Sequence, residues 1–369
     1  MIAKQTTVLD RAGLDALIQA LTGAGYRVIG PTVRDDAIVL DELSMGAQLP
    51  AGWGVTTGPG HYRLRRRDDA AVFGHSAGPQ SWKRYLHPPR RKLFDADRDG
   101  VFTAAQEEDP RYAFLGVRGC DLAAIGVLDR VLGAGNNPDA SYTRRRRSLF
   151  LIAVNCTEPG ELCFCASMGT GPAAGPGYDL ALTERCDEDG HRFLVDIGTG
   201  EGARILNRIP TAAATPEEVT SARAEVTAAA GRMGRAMPDA ELPAVIRAAR
   251  ESPQWEEVAS RCLSCANCTM VCPTCFCTTT EDVTDLTGDH AERWQRWVSC
   301  FEIGFSYVHG GSVRTSGASR YRQWFSHKLG TWHDQFGESG CVGCGRCVAW
   351  CPAGIDITEE AAKLAKGAR

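Results

Sequence analysis

The sequence lacks any hydrophobic run long enough to cross a bilayer. Apolar stretches such as residues 148–154 fall far short of the roughly 20 residues that a spanning helix needs. The N-terminal residues show neither an apolar signal core nor a twin-arginine pair, so we expect a cytoplasmic protein with no membrane contact. The formal net charge is only −4 over 369 residues, which gives no reason to expect a nucleic acid as a partner.

The sequence also lacks the common motifs of catalysis and nucleotide binding. Residues 198–202 are rich in glycine, but they do not match G-x-G-x-x-G, and no Lys-Ser or Lys-Thr pair follows them. No Ser-His-Asp arrangement and no H-E-x-x-H motif stands out, so we predict no catalytic residues. Residues 95–100 match the beginning of a calcium loop, but its twelfth position is Gln106, and a polar hairpin turn is the better interpretation.

Sixteen cysteines are the unusual feature of the composition. In a small secreted domain they would suggest a framework of disulfides. This chain is large, shows no signal peptide and carries its cysteines in groups. Because a reducing compartment keeps such thiols free, metal or cofactor binding is the better interpretation.

Eight of these cysteines form two copies of the ferredoxin motif C-x2-C-x2-C-x3-C-P. Three closely spaced thiolates surround one cubane cluster, whereas the fourth leaves the loop and binds the other cluster of a two-cluster ferredoxin. We therefore predict two [4Fe–4S] clusters with crossed ligands. Cluster 1 takes Cys262, Cys265, Cys268 and Cys351, and cluster 2 takes Cys341, Cys344, Cys347 and Cys272. A structural zinc site fits this pattern poorly, because it needs four ligands rather than eight.

The long insert between the two motifs indicates what kind of ferredoxin domain this is. It has 68 residues, more than the short connection of a compact bacterial ferredoxin. Helical patterns also flank the motifs at 254–260 and 358–366, so we predict a helical two-cluster domain over residues 253–369. Tryptophans are expected to pack around the clusters and exclude water, although ordinary core packing is the commoner role for any one of them. They are Trp294, Trp297, Trp324 and Trp332.

Strand and helix patterns alternate in the preceding part of the chain. They are a helix at 10–25, strands at 26–30, 37–43, 114–117 and 149–154, and a helix at 122–131. We predict a mixed α/β domain over residues 1–210 and a helical connector over 211–252. The predicted fold class is therefore α+β, with the mixed α/β domain followed by the helical two-cluster ferredoxin domain.

Four further cysteines follow predicted buried strands. Cys120 and Cys156 each come shortly after such a strand, and Cys163 and Cys165 follow Cys156 closely. Because ligand sites gather at strand ends in α/β folds, these four cysteines could hold a third cluster in the N-terminal domain. A helix beginning near Cys120 would also favour its thiolate. The alternative is that all four are small buried residues, as free cysteines often are.

The remaining cysteines carry no clear assignment. Cys275 and Cys277 extend the first motif, and Cys300 lies in the insert. They could replace a ligand or form a redox pair, while packing near the clusters without ligation is the more ordinary role. Cys186, in an acidic turn, looks incidental.

Several blocks of the sequence resemble the β subunit of cytoplasmic NiFe hydrogenases of the sulfhydrogenase type, a family that includes the A subunit of anaerobic sulfite reductase. The blocks are YRVIGPTVRD at 26–35, GVRGCDLAAI at 116–125, CFCASMGTGP at 163–172, residues 261–277, 306–311 and 320–324, and the second ferredoxin motif. The resemblance covers nearly the whole chain, and the block around Cys163 and Cys165 is specific to the family. Gly119 departs from the proline that members often have there.

The resemblance implies a non-catalytic redox subunit. It would relay electrons through its clusters between a separate FAD- and NAD(P)-binding subunit and the small and large subunits of a NiFe hydrogenase. The lack of flavin, dinucleotide and NiFe-ligand motifs in this chain agrees with that role. Two alternatives are the equivalent subunit of a sulfite reductase and a self-contained reductase whose substrate binds near Cys275, Cys277 and Cys300.

Overall fold

The computed structural model describes residues 6–106, 108, 110–188 and 190–367. In chain order its strands are β1 (Thr7–Asp10), β2 (Arg27–Arg34), β3 (Ala37–Glu42), β4 (Trp53–Gly58), β5 (His61–Arg66), β6 (Arg90–Asp97), β7 (Phe102–Ala104), β8 (Tyr112–Arg118), β9 (Phe150–Val154), β10 (Leu180–Asp187), β11 (Gly190–Ile197), β12 (Ala212–Ala213), β13 (Thr278–Thr284), β14 (His290–Trp297), β15 (Tyr307–Val308) and β16 (Gly311–Ser312).

The helices lie between these strands and dominate the C-terminal part. They are α1 (Arg11–Gly23), α2 (Lys83–Leu86), α3 (Gly119–Leu128), α4 (Ala140–Arg147), α5 (Gly200–Leu206), α6 (Pro216–Ala230), α7 (Leu242–Ala248), α8 (Gln254–Arg261), α9 (Asn267–Met270), α10 (Gly317–Ser326), α11 (Trp332–Phe336), α12 (Arg346–Ala349) and α13 (Ile357–Gly367). Two π-helical turns, Asp129–Gly133 and His327–Thr331, continue α3 and α10. Within the described ranges, no helix combines the length and apolar character that a membrane crossing requires.

The largest sheet of the described residues has eight strands, in the order β12-β1-β11-β10-β9-β8-β2-β3. Its central strands β10, β9, β8 and β2 run parallel, and antiparallel strands extend it on both sides. All five side chains of β9 are buried, which is typical of a parallel strand covered on both faces. Because β8 and β9 are parallel neighbours, their carboxyl ends lie at the same edge of the sheet.

Helix α1 covers one face of this sheet. The Asp10 side chain accepts a hydrogen bond from the backbone N–H of Gly13 at 2.7 Å and so caps the first turn. Its fully buried side chains repeat at helical spacing and join the core of the sheet: Leu14, Leu17, Ile18 and Leu21. Burying each of these side chains contributes about 1.5–3 kcal/mol. Helix α1 confirms the helix predicted at residues 10–25.

The C-terminal part packs α8, α10 and α13 around a second apolar core. Trp255 of α8 meets Phe325 of α10 edge to face, with ring centroids 5.6 Å apart. Leu364 of α13 is buried in the same core. The helices predicted at 254–260 and 358–366 are confirmed as α8 and α13, and so is the predicted fold class of an α/β domain followed by a cluster domain.

The insert between the two ferredoxin motifs also contains strands. Its hairpin β13–β14 pairs with the hairpin β6–β7 to give a four-stranded sheet in the order β13-β14-β6-β7. The turn after β6 is polar, since the Asp97 carboxylate accepts hydrogen bonds from the N–H groups of Asp99 and Val101. This confirms a hairpin turn at residues 95–100. This sheet combines strands from residues 1–210 with strands from residues 253–369. The division of the chain into domains at 1–210 and 253–369, with a connector at 211–252, stays a prediction.

A buried ion pair links the two parts of the chain. Arg346 Nη1 lies 2.8 Å from Asp121 Oδ1, and the two side chains are only 3% and 4% exposed. The Arg346 Nε–H also donates to the carbonyl of Gly78 at 3.2 Å. Asp121 lies on α3 and Arg346 on α12, so the pair fixes the second motif against the N-terminal domain.

The Asp121→Ala variant is expected to lose about 3–5 kcal/mol in the free energy of unfolding, because it leaves the Arg346 guanidinium buried without its partner. The measurement is the urea midpoint of the purified chain. Asp334→Ala is the matched control, since its pair with Arg247 is about 60% exposed on both sides and should change stability by less than about 1 kcal/mol. Equal midpoints for the two variants would contradict the structural role of the buried pair.

Candidate iron–sulfur centres

The two ferredoxin motifs fold into matching loops. In each loop the second and fourth residues after the first cysteine have left-handed backbone conformations. These are Ser264 (φ 51°) and Ala266 (φ 68°) in the first, and Gly343 (φ 68°) and Gly345 (φ 75°) in the second. Such turns reverse the chain between successive cysteines and let three thiols of one loop face one cavity. Short helices, α9 and α12, follow the turns in both loops.

The first cavity contains the four thiols predicted for cluster 1. Cys262, Cys265 and Cys268 of the first motif line it together with Cys351 of the second, around about 470 Å³ of unfilled space. We call these four residues site 1. Cys351 thus faces the loop of the other motif, which is the arrangement that crossed ligands would require.

Aromatic side chains close site 1 and supply unused donors. Tyr321 and Trp324 line the cavity, and each is at least 95% buried. Neither the Tyr321 hydroxyl nor the Trp324 Nε1–H has a hydrogen-bond partner among the described residues. Because buried donors normally find acceptors, these two groups fit a cavity filled by the sulfur atoms of a [4Fe–4S] cluster.

The second cavity contains the four thiols predicted for cluster 2. Cys341, Cys344 and Cys347 of the second motif line it together with Cys272 of the first, around about 330 Å³. We call these four residues site 2. Cys347 and Ile357 also line the cavity of site 1, so the two sites are adjacent.

A buried lysine sets the electrostatics of site 2. Lys328 Nζ donates to Cys272 Sγ at 3.1 Å and to Thr274 Oγ1 at 3.0 Å. The neighbouring Cys275 thiol and the Lys328 ammonium hold the pKa of Cys272 well below its usual value. By contrast, burial raises the pKa of Cys341 to about 12. A fixed cation beside the thiols fits an anionic thiolate-bound cluster.

The structure also brings together the four cysteines outside the motifs that were predicted as a third ligand set. Cys120 is the second residue of α3 after β8, and Cys156 comes two residues after β9. Cys120 and Cys165 are buried and pack together. Burial, and then the neighbouring Cys120 and Cys156 thiols, raise the pKa of Cys163 to about 12. We call Cys120, Cys156, Cys163 and Cys165 site 3.

Arg118 places a positive charge inside site 3. It is 7% exposed, and its Nη1 donates to Cys156 Sγ at 3.1 Å while its Nη2 donates to the carbonyl of Phe73. A buried guanidinium beside four thiols fits an anionic cluster. Helix α3 does begin beside Cys120, as expected. Without a bound cluster, the neighbouring Cys165 thiol and burial raise the pKa of Cys120 well above its usual value.

Sites 2 and 3 touch through the second motif. The Phe164 N–H donates to the carbonyl of Gly343 at 2.9 Å, and a Cβ at Gly343 would lie 2.6 Å from the Cys165 backbone. Gly343 has a left-handed φ of 68°, so this position favours glycine on both counts. Cys344 packs against the buried side chains of Cys120 and Cys165. The three sites therefore follow one another in the order 1, 2, 3.

The tryptophans predicted around the clusters divide into two pairs. Trp324 and Trp332 are buried and line cavities beside the cysteines. Trp294 and Trp297 lie on β14, where the Trp297 ring covers Lys83 Nζ at 3.8 Å. The second pair lies on a hairpin of the insert, and Trp297 approaches the cysteines through Lys83, which donates to the Cys275 carbonyl.

Sequence reasoning missed the buried cations Lys328 and Arg118, because no motif or spacing marks a charged residue that will be buried. Cys186, by contrast, lies on β10 and is exposed, away from all three sites. It was predicted to be incidental and is a useful control.

Comparison with known proteins agrees with these centres. Residues 261–355 match the family model of a 4Fe–4S dicluster domain, so the chain is an iron–sulfur protein of the two-cluster class. It is also 32% identical over 295 residues to sulfhydrogenase 2 subunit beta of Pyrococcus furiosus. The aligned region covers 78% of this chain and 85% of that protein. The chain belongs to this family of sulfhydrogenase β subunits. No solved structure gives a significant match.

Proposed function

We propose that this chain relays electrons through [4Fe–4S] clusters between an FAD- and NAD(P)-binding subunit and the small and large subunits of a NiFe hydrogenase. The observation that carries the proposal is the adjacency of sites 1 and 2, whose cavities both reach Cys347. A bound cluster supplies one-electron chemistry that the side chains cannot. Sites 1 and 2 would hold such clusters side by side, Trp324 and Tyr321 would exclude water, and Lys328 would compensate their negative charge.

The proposed ligands are those of sites 1 and 2, crossed between the motifs. Support comes from the cavities, each of which collects three thiols of one motif and the fourth of the other. The proposed subunit has no catalytic residue of its own and resides in the reducing cytoplasm, where its thiols stay free.

A third cluster at site 3 would extend the path into the N-terminal domain. Cys344 contacts the buried side chains of Cys120 and Cys165, which supports this extension. The buried Arg118 beside Cys156 supports it as well. Site 3 would then lie at one end of the path and site 1 at the other.

The Cys163→Ser/Cys165→Ser variant is expected to lose about four irons per chain, because each cubane holds four. The measurement is iron and acid-labile sulfide after anaerobic reconstitution. Cys186→Ser, which removes an exposed thiol outside the sites, should leave both unchanged. A double variant with the iron content of the wild type would exclude a cluster at site 3.

Anaerobic co-purification of the chain from its native cells tests the proposed partners. The relative in Pyrococcus furiosus is by name a hydrogenase subunit, so we expect NiFe hydrogenase subunits and a flavin subunit to co-purify with this chain. Recovery with a sirohaem subunit would replace this function with the sulfite reductase alternative. Turnover of a small electron acceptor by the isolated chain would favour a self-contained reductase.

A further inference from the structure

Three cysteines outside the ferredoxin motifs and site 3 share a separate cavity. Cys275, Cys277 and Cys300 line about 600 Å³ of unfilled space. Thr274 and Lys328 line this cavity and also that of site 2. The cavity therefore lies directly behind site 2, with these two side chains as the shared wall.

One buried cation lines the cavity and a second lies close to it. Lys328 is 6% exposed and lines the cavity, while Lys83, which is 2% exposed, donates from Nζ to the Cys275 carbonyl at 2.8 Å. Lys328 also donates to the Cys272 thiol of site 2. Burial lowers the pKa of Lys83, and a nearby anionic group is what would keep its ammonium charged. The two lysines therefore fit an anionic group in the cavity.

The spacing of the three thiols argues against a single metal ion. A single ion needs ligand atoms that all lie close to one another. In the described part of the chain, two groups of three or more potential ligands have atoms that all lie within 4.8 Å of one another. Both lie elsewhere, one at Glu184, Cys186 and His191 and the other at Asp95, His290 and Glu292. The thiols of Cys275, Cys277 and Cys300 do not form such a compact group, so the three together do not fit a single ion. A cubane, in which each thiolate binds a different iron, does not require such a compact group.

The same cavity offers a fourth ligand and donors for sulfur. His327, the first residue of the π-helical turn His327–Thr331, lines it and packs against Trp332 with ring centroids 5.1 Å apart. The Nε1–H group of Trp332, which also lines the cavity, is buried without a partner among the described residues. Histidine nitrogen is an established iron ligand in iron–sulfur proteins, and N–H donors to sulfur tune such clusters.

We propose that Cys275, Cys277 and Cys300 bind three irons of a further [4Fe–4S] cluster and that His327 binds the fourth. We call these residues site 4. It adjoins site 2 across Lys328 and Thr274, and it adjoins site 1 across Trp324, which lines both cavities. Site 4 thus gives the path a branch beside the two motif clusters. It goes beyond the proposed relay and does not depend on which subunits are the partners.

The first test removes two thiols of site 4 from the full chain. Cys277→Ser/Cys300→Ser, reconstituted anaerobically, is expected to hold about four fewer irons than the wild type. Its motif clusters should still be reduced and reoxidised at unchanged potentials, which separates loss of site 4 from failure of the relay. Cys186→Ser is the matched control and should lose no iron. A double variant with wild-type iron content would overturn the proposal.

The second test does not depend on whether the double variant folds. The reduced wild-type chain is expected to show nitrogen hyperfine coupling to one cluster in pulsed electron paramagnetic resonance, from the His327 imidazole. His327→Ala should abolish this coupling. His333→Ala is the control, because His333 lies six residues further along the chain and outside the cavity, and this variant should keep the coupling. Absence of the coupling in the wild type, or its persistence in His327→Ala, would overturn the proposal.

Discussion

The Cys351→Ser variant is expected to lose the cluster of site 1, about four irons per chain, although Cys351 belongs to the second ferredoxin motif. Cys351 lines the cavity of the first motif together with Cys262, Cys265 and Cys268. The backbone N–H of Ile355 donates to its sulfur at 3.4 Å, which helps to hold the thiol in place. The cluster of site 2 keeps all four of its ligands in this variant and should remain.

Two single variants identify which cluster is lost. Cys265→Ser removes a ligand that lines only site 1, and Cys344→Ser removes one that lines only site 2. The electron paramagnetic resonance spectrum of reduced Cys351→Ser should match that of Cys265→Ser. A match with Cys344→Ser would mean that each motif binds its own cluster, contrary to the crossed ligands proposed here.

The Lys328→Met variant is expected to lower the reduction potential of the cluster at site 2. Reduction adds negative charge, and Lys328 Nζ donates to Cys272 Sγ at 3.1 Å, so its ammonium stabilises the reduced state more than the oxidised state. A hydrogen bond to a charged group contributes about 1.5–3 kcal/mol. For a one-electron couple, this free energy corresponds to a decrease in reduction potential of at most about 60–130 mV. Burial opposes a charge on Lys328, but Cys272, Cys275 and Cys341 raise its pKa well above the usual value, so it stays cationic.

Redox titration of the reconstituted chain measures this shift. Lys363→Met is the control, because Lys363 lies on α13 and pairs with Glu360 rather than with a cysteine. Its potentials should stay at the wild-type values. An unchanged or raised potential at site 2 in Lys328→Met would contradict the electrostatic role of the buried lysine.

The sequence predicted those parts of the sites that local spacing determines. The ferredoxin spacing fixes how three thiols of one loop turn toward one cavity, and the structure has matching turns at Ser264 and Gly343. The position of Cys120 and Cys156 after two buried strands was also informative. Because β8 and β9 are parallel neighbours, residues that follow them meet at one edge of the sheet.

The parts that sequence reasoning missed depend on contacts between distant segments. β14 shows no alternation of apolar and polar residues, and it becomes a strand by pairing with β6, about two hundred residues earlier in the chain. Lys328 and Arg118 are buried by tertiary packing, and nothing in their sequence neighbourhood distinguishes them from surface cations. The packing of Cys120 against Cys165 likewise joins segments that no local pattern connects.

The most direct test of the relay uses Cys351→Ser within the assembled complex. The wild-type complex should reduce NAD(P)+ with hydrogen, and it should also reduce an artificial one-electron acceptor directly at the hydrogenase subunits. In the variant we expect loss of hydrogen-dependent NAD(P)+ reduction together with full reduction of the artificial acceptor, because only the path through this chain is interrupted. Wild-type rates of NAD(P)+ reduction in a variant that lacks the site 1 cluster would contradict the proposal that electrons pass through this subunit.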